Sequence, residues 1–118
     1  MTTTLMALFR RPEGGEAAVA TFRRRYADEH LPLIRQVPGL RAVRVGEIVR
    51  PLGESDLMMV TRLIFPDRAT FEAALTSDPM RAAGRNLREI APGLVTMLMV
   101  EPDTGLSSGP DDPPEAAA

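Results

Sequence analysis

The sequence contains no cysteine and no lysine, and its only histidine is His30. Without cysteine, the chain can form no disulfide, no thiolate metal site and no thiol nucleophile. A single histidine also excludes a histidine-rich metal site within one chain. We therefore expect no metal site in this protein.

Long apolar runs and concentrated basic charge are also missing. No apolar run approaches the 18 or so residues of a transmembrane helix, and residues 1–9 lack the charged and apolar regions of a secretory leader. The 14 basic residues, all arginine, are offset by 16 acidic residues, so the chain lacks the basic field that nucleic-acid binding needs. We expect a cytoplasmic protein that binds neither membranes nor nucleic acids.

Length and composition predict one globular domain. The chain has 118 residues, of which 44% are hydrophobic and 25% charged, values typical of soluble domains. From residue 102 onward the chain is mainly Pro, Gly, Ser, Asp and Ala, without periodicity. We therefore predict a folded domain over residues 1–101 and a disordered tail over residues 102–118.

Alternating strand and helix patterns predict the fold class. Four apolar runs bounded by Pro, Gly or acidic residues predict strands at Thr3–Phe9, Leu40–Val49, Leu57–Phe65 and Leu94–Val100. An amphipathic helix is predicted over Gly15–Val37, and a second helical region over Asp67–Ala91. The order β-α-β-β-α-β predicts a ferredoxin-like α+β fold with two helices on one face of a four-stranded antiparallel sheet.

Three positions predict where the helices break. Asp67 is placed to cap the second helical region. Within that region, Ser77-Asp78-Pro79 predicts a break, with Asp78 as the cap of a new helix and Pro79 at its first position. Pro32 removes the hydrogen bond to the carbonyl of Asp28, so we expect the first helix to bend or end directly after His30.

Two of the predicted strands carry apolar side chains on both faces. Val95–Val100 and the segment 58–61 alternate too little to leave one face polar. Because two helices cover only one face of the sheet, the other face would be left bare and prone to aggregation. We therefore expect a second copy of the chain to cover it, sheet against sheet, in a two-fold homodimer.

His30 lies near the middle of an apolar helix face. At about 100° per residue this face holds Val19, Phe22, Tyr26, His30, Leu33, Ile34 and Val37. A polar ring placed there needs a hydrogen-bond partner, supplied either by the core or by a ligand in a cavity. Tyr26 lies one turn earlier, so its hydroxyl and the imidazole either share a substrate oxygen or serve only in packing.

Other side chains are weaker candidates for a substrate site. Phe22 continues the stripe and either packs in the core or lines a pocket. Arg44 and Arg62 interrupt apolar strands and either bind a substrate carboxylate or lie at a solvated edge or dimer rim. Met58 belongs to a set of strand methionines that either fill the core or form an adaptable lining. We assign Phe22, Arg62 and Met58 to the substrate site as hypotheses.

Three motifs together resemble the EthD family of dimeric α+β barrel proteins. They are Phe22 and Tyr26 followed by His30-Leu31-Pro32-Leu33 and Pro38-Gly39-Leu40; Asp56-Leu57-Met58-Met59; and Phe71-Glu72-Ala73-Ala74-Leu75-Thr76-Ser77-Asp78-Pro79. The resemblance extends over residues 4–101. It implies a dimer whose two sheets form a barrel, and a cavity between sheet and helices that His30 faces.

The resemblance also implies a class of function. It favours a small-molecule enzyme without a cofactor, an isomerase, cyclase or oxygenase type acting on a small aromatic or lactone-like compound, with His30 as acid–base and Tyr26 assisting. A non-catalytic carrier that uses the same pocket is the alternative, so the sequence leaves open whether the protein is an enzyme. A third hypothesis is haem binding with His30 as the axial ligand.

Overall fold

A computed structural model describes residues 1–110 and contains the predicted order of elements. The strands are β1 (Thr3–Arg10), β2 (Ala42–Glu47), β3 (Leu57–Phe65) and β4 (Val95–Val100). The helices are α1 (Gly15–Arg25), α2 (Leu31–Ile34), α3 (Arg68–Leu75) and α4 (Asp78–Ile90), with a π-helical turn at Tyr26–His30 between α1 and α2. This is the ferredoxin-like α+β fold that the sequence predicts.

The four strands form one antiparallel sheet in the order β2-β3-β1-β4. In β1, every second residue is buried, beginning with Thr3 and ending with Phe9. This period of two places those residues on one face of the sheet. Leu63 and Phe65 of β3 lie opposite Leu5 and Thr3 and so share that face.

The core lies between this face and the helices. Phe65 is fully buried and meets Phe71 of α3 edge to face, with ring centroids 5.4 Å apart. Leu87 and Ile90 of α4 are buried in the same cluster. The apolar stripes of the helices therefore pack on one side of the sheet.

The first helix departs from its prediction. The predicted helical region over Gly15–Val37 extends over Gly15–Ile34, but it contains a wide turn that the sequence did not predict, because α1 ends at Arg25 and the chain then widens into the π-helical turn. Pro32 has no N–H to give to the carbonyl of Asp28, and the N–H of Leu31 reaches back five residues to the carbonyl of Tyr26. The helical path therefore continues past His30 and ends at Ile34.

The second helical region breaks where the sequence predicts, with one change. Asp67 caps α3, its carboxylate accepting from the N–H of Thr70 at 2.8 Å. At α4 the cap is Ser77, whose hydroxyl accepts from the N–H of Met80. The expectation that Asp78 caps this helix is therefore wrong by one residue: Asp78 and Pro79 are its first two residues.

The sheet face opposite the helices, here called the outer face, is largely apolar. By register it carries Met6, Leu8, Val60, Ile64, Leu98 and Val100, together with the cross-strand pair Arg44 and Arg62. Leu98 and Val100 are 45% and 38% exposed. The apolar second face that the sequence predicts is therefore present and left uncovered by the helices of residues 1–110.

Beyond β4, residues 102–110 contain neither helix nor strand. A turn closes there as the N–H of Ser107 donates to the carbonyl of Asp103 at 2.8 Å. The rest of the predicted disordered tail lies outside the described residues, so its disorder stays a prediction. Within residues 1–110, no helix combines the length and the apolar character needed to cross a membrane.

Candidate functional site

A cavity of about 150 Å³ lies between the helix-facing side of the sheet and the helices. A volume of this order accommodates a molecule the size of benzene. It is lined by Leu5, Ala7, Phe9, Tyr26, His30, Ile34, Thr61, Leu63, Leu75, Met80, Ala83, Gly84, Leu87 and Met97. None of these lining residues is an acid, a lysine or an arginine. A positive charge arises in the lining only when His30 is protonated. The cavity therefore suits a small neutral molecule.

The π-helical turn places Tyr26 and His30 side by side in this cavity. Their rings are stacked, with centroids 5.0 Å apart and planes 28° from parallel. Both side chains are buried, at 4% and 3% exposure. Wide turns of this kind are frequent at functional sites. Here the turn puts two polar side chains against the same apolar space.

The hydroxyl of Tyr26 is held by the sheet. It lies 2.7 Å from the hydroxyl of Thr61 on β3, and either oxygen can be the donor. Burial raises the pKa of Tyr26 to about 12, although the hydrogen bond with Thr61 opposes that rise. Tyr26 is therefore a neutral hydroxyl at physiological pH.

The imidazole of His30 has one polar partner outside the cavity. Its Nδ1 lies 3.2 Å from Oδ1 of Asn86 on α4. Burial lowers the pKa of His30 below its ordinary value of 6.5, and the hydrogen bond with Asn86 opposes the shift. A neutral imidazole is the form that can accept a proton.

Asn86 belongs to a chain of polar contacts that leads out to the surface. Its Nδ2 donates to Glu29 at 3.0 Å. Glu29 in turn accepts from Nε and Nη2 of Arg25, at 2.7 and 3.1 Å. Arg25 lowers the pKa of Glu29, with a smaller contribution in the same direction from Asn86. Glu29 is therefore a carboxylate at neutral pH.

Two of the predicted substrate residues lie behind the cavity wall. Phe22 packs against Phe9 and Tyr26, with ring centroids 5.5 Å away in both cases. It is buried but does not line the cavity. Met58 is likewise a buried core residue outside the lining. Both side chains support the site through packing.

Arg62 lies on the wrong side of the sheet for a role in this cavity. It follows Thr61 in β3 and therefore points to the opposite face. There it is paired in register with Arg44 across the strands. The hypothesis that Arg62 binds a substrate carboxylate in the cavity is therefore not supported by the register.

Two polar residues of the site were not singled out from the sequence. Thr61 is a polar residue on the buried face of an otherwise apolar strand, which is a visible signal. Asn86 lies inside α4, where asparagine is a poor helix former. That cost to helix stability is the signal that a tertiary contact holds Asn86 in place.

Comparison with known families identifies the chain. The family model for the EthD domain matches residues 14–89, which include Tyr26, His30 and Asn86. The chain therefore belongs to the EthD family. No curated protein matches it at a significant level.

Solved structures share the fold over nearly the whole domain. An ethyl tert-butyl ether degradation (EthD) family protein from Bacillus halodurans is 31% identical, with a TM-score of 0.77 over 86% of this chain and 99% of its own. A dimeric protein of unknown function from Bacteroides fragilis is 16% identical, with a TM-score of 0.63 over 85% and 95%. A hydroxynitrile lyase from Passiflora edulis is 11% identical, with a TM-score of 0.57 over 85% and 94%. The last two similarities bear on the fold alone.

Proposed function

We propose that this protein is a small-molecule enzyme that needs no cofactor, with His30 as its acid–base group. The observation that supports this most directly is the position of His30: a buried imidazole, with a pKa lowered by burial, beside a hydroxyl in an apolar cavity. An imidazole in this state takes a proton from an activated carbon or hydroxyl of a bound molecule. The reactions that fit are isomerisation, cyclisation or oxygenation of a small aromatic or lactone-like compound.

Tyr26 has a supporting role in this proposal. Its hydroxyl stays protonated because burial raises its pKa to about 12. When Thr61 accepts or donates the shared hydrogen bond, the tyrosine oxygen keeps one further hydrogen-bonding position for a ligand. Since its ring stacks on His30, the two groups lie close enough to contact one bound molecule.

The test is turnover of a panel of small aromatic and lactone compounds by the wild-type protein and by His30→Gln. An enzyme of this kind loses far more turnover than affinity for the compound in the variant. The alternative is a carrier that uses the same cavity only for binding. For a carrier, no compound is turned over, and His30→Gln changes affinity alone.

Haem binding through His30 is the third hypothesis, and we rank it below the other two because of the size of haem. A space of about 150 Å³ suits a single small ring, and a haem is several times larger. Absence of a Soret band in protein from haem-replete cells is the measurement that checks this point.

We further propose that the chain forms a homodimer through the outer face. That face is largely apolar, and within the described part of the chain the helices leave it bare. Structures of the same fold from Bacteroides fragilis, Jannaschia and Thermobifida fusca are described as dimeric. A location in the cytoplasm stays a prediction from the sequence.

A further inference from the structure

The hydrogen bonds around Asn86 determine which nitrogen of His30 carries the proton. A carboxylate only accepts hydrogen bonds, so the side-chain atom of Asn86 that meets Glu29 is its NH₂ group. The oxygen of the same amide must then face Nδ1 of His30. An amide oxygen also only accepts, and so the hydrogen of a neutral His30 is on Nδ1.

The far end of this chain of contacts is a partly exposed ion pair. Arg25 donates two hydrogen bonds to Glu29 and cannot accept any, which keeps Glu29 ionised. Glu89 of α4 lies 3.8 Å from Arg25 and forms a second ion pair with it. The chemistry of the groups therefore determines which one donates and which one accepts in every hydrogen bond from Arg25 to His30.

The consequence for the cavity concerns the other nitrogen, Nε2. With the hydrogen on Nδ1, Nε2 carries a lone pair and acts as an acceptor. Among residues 1–110, no side-chain nitrogen or oxygen is both fully buried and without a partner. Nε2 has no described protein partner either, so it borders the accessible space of the cavity that His30 lines.

We propose that Asn86 and Glu29 are positioning residues that hold His30 in its Nδ1–H form, and that the cavity thereby selects a neutral, single-ring ligand that donates a hydrogen bond, as a phenol does. The ligand part of this proposal rests on the proposed function. The volume of the cavity limits the ligand to a single ring, and the apolar lining disfavours an anion. The lone pair of Nε2 favours a ligand that donates a hydrogen bond. Toluene matches phenol in size and lacks the donor.

The first test needs no ligand. The side-chain ¹⁵N shifts of His30 at pH 7.5 report which nitrogen is protonated, and His30 is the only histidine of the chain. We expect Nδ1 to be protonated in the wild type and the hydrogen to move largely to Nε2 in Asn86→Leu. Position 86 is a half-buried helix site, where leucine is the better helix former. Arg85→Leu, at an exposed site of the same helix, is the matched control and should keep the wild-type spectrum.

The second test measures the affinities for phenol and toluene by calorimetry. Because the two compounds match in size, burial contributes about equally to both affinities. The ratio of the affinities therefore reports mainly the hydrogen bond to Nε2. We expect the preference for phenol to fall by about tenfold or more in Asn86→Leu and in His30→Leu, and to be unchanged in Arg85→Leu.

The outcomes separate this proposal from the proposed function. If His30 of the wild type carries its hydrogen on Nε2, or is doubly protonated, the proposal is overturned. The proposed function would then survive with Nε2 as the hydrogen-bond donor. An unchanged ratio in Asn86→Leu, or binding of neither compound, overturns the ligand class. Failure to find turnover with any compound contradicts the enzyme proposal and leaves the Nδ1–H form intact.

Discussion

Tyr26 and Thr61 join the helical layer to the sheet through a hydrogen bond of 2.7 Å between two buried hydroxyls. The two residues are 35 positions apart in the chain. Thr61 occupies the centre of β3, and Tyr26 begins the π-helical turn that carries His30. This bond therefore holds the turn against the sheet on the side where the cavity lies.

We expect Tyr26→Phe to reduce the free energy of unfolding by about 1 to 3 kcal/mol, because it leaves the hydroxyl of Thr61 buried without a partner. Thr61→Val should have a similar cost for the same reason. The double variant Tyr26→Phe/Thr61→Val should lose clearly less than the sum of the two, since both polar groups are gone. Urea denaturation of the four proteins measures this; strictly additive losses would show that the bond contributes nothing.

The stability of the protein should fall as the pH drops below 6.5. Burial lowers the pKa of His30 in the folded state, while the unfolded chain titrates near the ordinary value of 6.5. Below that pH the unfolded state binds more protons than the folded state, and so stability is lost as pH falls toward and through the folded pKa. The carboxylates with lowered pKa values, Glu29, Asp67 and Glu101, lose their contributions only below about 4.5.

Thermal unfolding of the wild type and of His30→Gln between pH 5 and 8 measures the contribution of His30. The difference between the two proteins should shrink as the pH falls, because the variant has no imidazole to protonate. A constant difference over this range would mean that His30 titrates normally in the folded protein.

Gly39→Ala should destabilise the protein by at least about 1 to 2 kcal/mol. Gly39 has a φ of +76°, in the left-handed region that costs other residues roughly this amount. A Cβ atom there would also collide with the methyl group of Thr70. Gly53→Ala is the matched control, since no atom lies within 4 Å of its added Cβ. Equal melting temperatures for the two variants would contradict the assigned backbone conformation.

Leu98→Arg should convert a dimer into a monomer. Leu98 is 45% exposed on the outer face, so an arginine there would place a charge in the proposed interface. Leu52→Arg serves as the control, because Leu52 is 93% exposed in the loop between β2 and β3. Sedimentation velocity should show a dimer for the wild type and Leu52→Arg only. A monomeric wild type, or a dimeric Leu98→Arg, would contradict the interface.

The element order and two of the site residues could be predicted from the sequence because they depend on local periodicity. Alternation within each strand and the stripe on the first helix were sufficient to indicate the sheet, Tyr26 and His30. The wide turn was missed because a helical stripe looks almost the same with one added residue per turn. In both geometries, residues four apart remain neighbours.

The remaining site residues depend on how distant elements pack. Asn86 meets His30 across 56 residues of sequence, and no local pattern specifies that contact. The placement of Arg62 depends on packing in the same way. Arg62 and Thr61 are adjacent in the chain, but the pleat sends them to opposite faces, and only the packing of the helices decides which face holds the cavity.

A variant whose cavity is filled by a larger side chain shows whether phenol binds in the space beside His30. Ala83 lines the cavity, and Ala82, its neighbour on α4, does not. Calorimetric titration of the wild type, Ala83→Leu and Ala82→Leu compares them, with circular dichroism to verify that each is folded. We expect phenol to bind to the wild type and to Ala82→Leu, and Ala83→Leu to lose binding. Equal binding by all three proteins, or binding by none, would contradict a ligand site beside His30.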